Sequence, residues 1–107
     1  MIYVASPYSD PLPYVRQKRF ELVRTYTIER IKQGFPAFSP IMYLHTAAIE
    51  HSLPTDAQFW MRFNNNIMRH CYSVEVLALP GWEQSRGVAA EIQLAEHLHI
   101  PVYKVML

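Results

Sequence analysis

Short apolar runs alternate along the chain with longer stretches of helical spacing, and clusters of Pro, Gly and polar residues separate them. Residues 2–5 are apolar, and Ser6-Pro7-Tyr8-Ser9-Asp10-Pro11 breaks the run, which predicts a buried strand followed by a loop. Residues 13–33 contain no Gly and, after Pro13, no Pro, and Gly34 follows. This is the pattern of a helix with proline in its first turn and a glycine stop. Residues 35–39 read as a second strand, which Pro36 places at a sheet edge or a strand start. A short helix is expected over 42–50. A turn over 53–56 follows, where Thr55 or Asp56 caps a helix running to about residue 71. The clearest strand covers 74–79 and is followed by a loop over 80–84. Ser85 or Arg86 then opens a helix ending near residue 99, and 101–106 form the last strand.

The order β-α-β-α-α-β-α-β predicts an α/β fold: a small doubly wound, Rossmann- or flavodoxin-like parallel sheet of about four strands, with helices on both faces. The 107 residues give room for one domain, 1–107, and one core. Ligands of such sheets bind outside the carboxyl ends of the strands. The loops over 6–11, 40–45 and 80–87 are therefore the places for chemistry.

The last helix carries the sharpest signal. At 100° per residue, Val88, Ile92, Leu94, Ala95 and Leu98 form one apolar stripe, and Gln93, Glu96 and His97 lie opposite. Glu91 falls inside the stripe. A carboxylate there must be paired, protonated or facing a polar site. Ser85-Arg86-Gly87 precedes it at the helix start, where free N–H groups and the helix dipole attract anions. Ser85 adds a hydroxyl donor and Gly87 permits close approach to the backbone. A phosphate held there would lie about one to two helical turns from Glu91 at a rise of about 1.5 Å per residue. That matches the span from a 5′-phosphate to the anomeric carbon of one nucleotide.

Tyr3-Val4-Ala5-Ser6-Pro7 on the first strand and Ser85-x-Gly87-x-x-x-Glu91 on the last helix resemble the nucleoside 2-deoxyribosyltransferase superfamily, and its deoxynucleoside 5′-monophosphate N-hydrolases especially. Phe38-Ser39-Pro40-Ile41, His45, Trp60 and Leu79-Pro80-Gly81-Trp82 further resemble a bacterial and phage branch of it. The resemblance covers nearly the whole chain. It implies that Glu91 attacks the anomeric carbon, that Ser85 holds the phosphate, and that Tyr3 lies in the site and supports the nucleophile. It also implies sites completed across subunits. One departure stands out. Where the family has an Asp that assists the leaving base, this chain has Asn64, which can hydrogen-bond a base but has no titratable proton to give.

Ser6, at the end of the first strand, is a further candidate for substrate contact. His45, after the second strand, reads equally as a ligand contact or a satisfied histidine, and Trp82 as a base-stacking ring or a cover for the core. Glu75, expected at the start of its strand and at the far end of the sheet, is a poor substitute acid. Glu83 is better placed, though a solvated loop carboxylate is its plainer reading. Arg16, Lys18 and Arg19 read as a solvated face, and Phe59, Trp60 and Phe63 as core or subunit interface. The five histidines lack metal-ligand spacing and no Cys pair supports zinc, so no metal and no cofactor are expected.

Composition sets outer bounds. Half the residues are apolar, 18% are charged and the net charge is +1, which argues against binding a nucleic-acid polymer through a basic face. The lone Cys71 excludes an internal disulfide and fits the cytoplasm. The start of the chain is too short and too uncharged for a signal peptide, and no run reaches membrane-spanning length. Surplus apolar surface on a small domain suggests a homodimer or higher homo-oligomer. The expected activity is an N-glycosidase or deoxyribosyl transferase acting on a (deoxy)nucleoside 5′-monophosphate or nucleoside through a glycosyl-Glu91 intermediate. The alternative is a nucleotide-binding module that senses or sequesters its ligand. A third reading, a cytokinin-activating phosphoribohydrolase, is prompted by Leu79-Pro80-Gly81, but its glycine-threonine run is missing.

Overall fold

The computed structural model describes residues 1–54 and 57–107. Its elements are β1 (Ile2–Ala5), α1 (Pro13–Lys32), β2 (Ala37–Phe38), α2 (Pro40–Glu50), α3 (Ala57–Met68), β3 (Ser73–Leu77), a 3₁₀ turn (Trp82–Gln84), α4 (Arg86–His97) and β4 (Val102–Val105). The four strands form one parallel sheet in the order β2-β1-β3-β4. The expected α/β architecture is thus present. The apolar runs of β1 and β3 are explained by their central places: every residue of both is buried, as strands covered on two faces require. Pro36 lies just ahead of β2, an edge strand, and its carbonyl accepts from Ile2 N at 2.8 Å.

Side-chain alternation divides the core. Tyr3, Ala5, Val74 and Val76 face α3 and α4, where Met68, Val88 and Ala95 meet them. Ile2, Val4 and Leu77 face α1 with Val23, and Ile41 of α2 joins that side. The chain leaves β1 toward β2 on one side and reaches β3 on the other. The crevice between β1 and β3, at their carboxyl ends, is therefore the topological switch point.

Several boundaries differ from expectation. Ser39 caps α2, accepting from Met42 N at 3.0 Å with Pro40 behind it, so this helix starts two residues early. α3 stops at Met68 because its end tightens into bonds from His70 N to Ile67 O and from Cys71 N to Met68 O. The proposed cap at Thr55 or Asp56 lies outside the described residues. Glu75 is mid-strand rather than at a strand start. It points to the α1 face, where Arg30 holds both its oxygens at 2.9 and 3.1 Å and Tyr26 donates at 2.7 Å.

Three helices end alike. Gly34 (φ +91°), Ser52 (φ +52°) and His99 (φ +58°) each follow a C-cap in the left-handed region. The next residue then bonds back: Phe35 to Arg30, Leu53 to Ala48 and Ile100 to Ala95.

Candidate active site

A cavity of about 710 Å³ opens at the carboxyl ends of the strands, within the usual range for small-ligand pockets. Ser6 and Tyr8 after β1, Pro40 and Ile41 after β2, and Gln84 to Gly87 after β3 reach it, so all three loops singled out by topology contribute. α3 closes one side with Trp60, Met61 and Asn64, and α4 supplies Glu91.

α4 begins at the cavity wall because Ser85 caps it, its Oγ accepting from Val88 N at 3.2 Å. The first backbone bond of the helix, Ala89 N to Ser85 O, leaves the N–H groups of Arg86 and Gly87 ahead of it without an intrahelical partner. The hydroxyl hydrogen of Ser85 is also free of that cap bond. An anion at this wall meets two backbone donors, a hydroxyl and the positive end of a helix dipole.

Two turns in, Glu91 is 7% exposed. The Tyr3 hydroxyl, on a side chain with no exposure at all, donates to its Oε2. Tyr3 can do so because β1 turns it toward α4 while the flanking Ile2 and Val4 face α1. Among the described residues no Lys or Arg is ion-paired with Glu91. Burial pushes its carboxyl from an ordinary 4.5 up to about 7, and the Tyr3 hydrogen bond pulls the other way. Burial first and the Glu91 charge second push Tyr3 well above 10, so it remains a donor. The second buried carboxylate of the fold, Glu75, has a cation, whereas Glu91 has a hydroxyl and a cavity.

A model of a domain family of unknown function, DUF1937, matches residues 1–106. The chain belongs to the DUF1937 family. The curated proteins hold no match to it.

In this DUF1937 chain, Glu91, Ser85, Gly87, Asn64, Ser6 and His45 come together around one cavity, with Tyr3 directly behind Glu91. Trp82 is not among the described lining residues. It packs against the α4 side of the core with the Lys104 ammonium 5.7 Å from its ring. Glu83 is exposed beside it. Ser6 Oγ and Asn64 Oδ1 are buried on the cavity and have no hydrogen-bond partner among the described residues.

Four residues take parts that the sequence did not assign to them. Trp60 reaches the cavity, its indole N–H held by Pro54 O at 2.8 Å, while its neighbours Phe59 and Phe63 stay largely exposed. Tyr8 and Gln17 bracket His45: the Tyr8 hydroxyl lies 2.7 Å from Nδ1 and Gln17 Oε1 lies 2.9 Å from Nε2. Only the position of Tyr8 in the loop after β1 hinted at this. Arg19 is no solvated bystander. Its guanidinium donates to Ser9 O at 3.0 Å, Tyr8 O at 3.3 Å and Pro80 O at 3.2 Å, joining the loops after β1 and β3. Gly81 makes room for it with φ +91°, since a Cβ there would stand 2.7 Å from Arg19 Nη2. Among the described residues, no helix is long and apolar enough to cross a membrane.

Proposed function

We propose that this protein cleaves the N-glycosidic bond of a (deoxy)nucleoside 5′-monophosphate or related nucleoside, with Glu91 as nucleophile. The carrying observation is a buried carboxyl, without an ion-paired cation among the described residues, hydrogen-bonded by Tyr3 and set one to two turns below a helix start that offers anion donors. The resemblance of Tyr3, Ser85 and Glu91 to the nucleoside 2-deoxyribosyltransferase pattern supports the same reading.

In this mechanism the phosphate rests on the N–H groups of Arg86 and Gly87 and on Ser85. Its binding energy orients the sugar against Glu91. The ionised carboxylate attacks the anomeric carbon as the bond to the base breaks, giving a glycosyl ester, and the base leaves with the bonding electron pair and takes its proton from water. Tyr3 keeps Oε2 fixed and favours the ionised form. Water, or a second base, then attacks the ester and restores the carboxylate. The apolar lining residues Ile41, Leu44, Trp60 and Met61 suit the base. We place the protein in the cytoplasm, working as a homo-oligomer through the aromatic surface of α3.

The test is incubation with a panel of nucleotides and nucleosides, watching for free base and for a glycosyl adduct on Glu91 by mass spectrometry. Release by the parent and none by Glu91→Gln, with the fold retained, is the expected result. Release at the parent rate by Glu91→Gln would overturn the assignment. Asn64, standing where the related enzymes have an acid, favours a second reading, a nucleotide-binding module without turnover. Tight binding with no base release would establish it.

A further inference from the structure

The polar network behind the cavity has a fixed direction. Gln17 Nε2 donates to the Glu21 carboxylate at 3.3 Å, which turns its Oε1 toward His45. A carbonyl oxygen only accepts, so His45 Nε2, 2.9 Å away, carries the proton. Burial first, then the nearby Arg16 cation, holds the ring below its ordinary 6.5, so at neutral pH only one ring nitrogen is protonated. Nδ1 is then an acceptor, and the Tyr8 hydroxyl at 2.7 Å donates to it. Phe20 stacks on the imidazole at 4.1 Å and 15°, which holds the ring plane. Burial pushes the Tyr8 phenol above 10, so its proton stays on and stays committed to His45.

Tyr8 lines the cavity, and with its hydrogen spent it can offer a ligand only lone pairs. Asn64 Oδ1 is a second unpartnered acceptor on the same cavity. Both belong to walls other than α4, which carries the anion donors and Glu91. A base that rests against these walls, away from α4, meets acceptors at the Tyr8 hydroxyl oxygen and Asn64 Oδ1, with the Ser6 hydroxyl free to turn either way.

Building on the proposed nucleotide reading, we infer that Tyr8, oriented by His45 and Gln17, makes the cavity selective for a base with an exocyclic amino group over one with a carbonyl at the same place. An amino nitrogen brings two N–H donors. A carbonyl oxygen brings lone pairs against lone pairs and leaves buried acceptors unmatched. Tyr8 touches the ligand, and Gln17 is a positioning residue that acts through His45.

The experiment compares kcat/KM for base release within two matched pairs. These are the 5′-monophosphates of deoxyadenosine against deoxyinosine, and of deoxycytidine against deoxyuridine. Each pair exchanges an exocyclic amine beside a ring-nitrogen acceptor for a carbonyl beside a ring N–H. The amino member of at least one pair should be favoured roughly ten- to a hundredfold. Tyr8→Phe should remove most of that ratio. Gln17→Leu, an exposed substitution that leaves the cavity wall unchanged, should lower the ratio severalfold, because His45 can then carry its proton on Nδ1 and release the Tyr8 hydrogen to the ligand. A parent ratio near one or favouring the carbonyl in both pairs, or a ratio that survives Tyr8→Phe or Gln17→Leu, overturns the inference while leaving the glycosidase reading in place. If no base is released from any of the four, the wider panel of nucleotides and nucleosides decides the glycosidase reading, and titration calorimetry with the same pairs decides the inference by the ratio of Kd values.

Discussion

Replacing Glu91 with Gln keeps the shape of the side chain and removes a charge that the fold buries at a cost. The carboxyl moves from 4.5 in the open chain to about 7 in the fold. At about 1.36 kcal/mol per pH unit this corresponds to about 3 kcal/mol. The sign runs opposite to that of most carboxylates. Below about pH 4.5 the group is protonated in both states and costs nothing. As pH rises toward 7 the unfolded chain loses its proton while the fold keeps it, so stability falls, and above about 7 the full cost is present. Glutamine has no such dependence. The stability difference between Glu91→Gln and the parent should therefore be small at pH 4.5 and grow to about 3 kcal/mol in favour of the variant at pH 8. For a domain of this size that is roughly 13 °C in Tm. Paired thermal or urea melts across this range cancel the contributions of other groups. A difference that stays flat with pH, or a variant less stable than the parent at pH 8, would refute the reasoning. The same carboxyl should make kcat/KM rise with pH through about 7. Tyr3→Phe should move that rise to higher pH, because it removes the donor that favours the ionised form.

Ser85→Ala should lower kcat/KM for a monophosphate roughly ten- to a hundredfold and barely change it for the bare nucleoside; equal losses on both would remove the phosphate from this wall. Ser52→Gly and His99→Gly should each stabilise the fold by about 0.5–1 kcal/mol in urea denaturation, since both hold non-glycine residues in the left-handed region at helix ends; a loss of stability would show that their side chains offset the strain.

The elements that could be read from the sequence were those whose signal is local. Pro13 and Gly34 bound α1, the unbroken apolar run of β1 and the apolar stretch around Glu75 in β3 mark those strands, and Glu91 is conspicuous because every neighbour on its stripe is apolar. Ser39-Pro40 carries an equally local signal, a cap followed by proline, but it competed with an apolar run that reads as strand up to Ser39. Local pattern could not reveal partners far apart in sequence. Tyr8, Gln17 and His45 meet only because α1 and α2 pack beside the loop after β1. Nor could it tell the two buried carboxylates apart. The identity of the chain at 75 and 91 is the same; what differs is that one side of the sheet brings Arg30 and the other brings Tyr3.

The Arg19 guanidinium spans carbonyls of the loops after β1 and β3. It works as a calliper: beyond the direct pairing of β1 with β3, one side chain ties the loop of the wall bearing Tyr8 to the loop that leads to Ser85. Width and chemistry are thereby separable properties of this pocket. Altering Arg19, or the absent side chain of Gly81 that admits it, would release this tie without changing any residue that faces a ligand, since neither belongs to the lining.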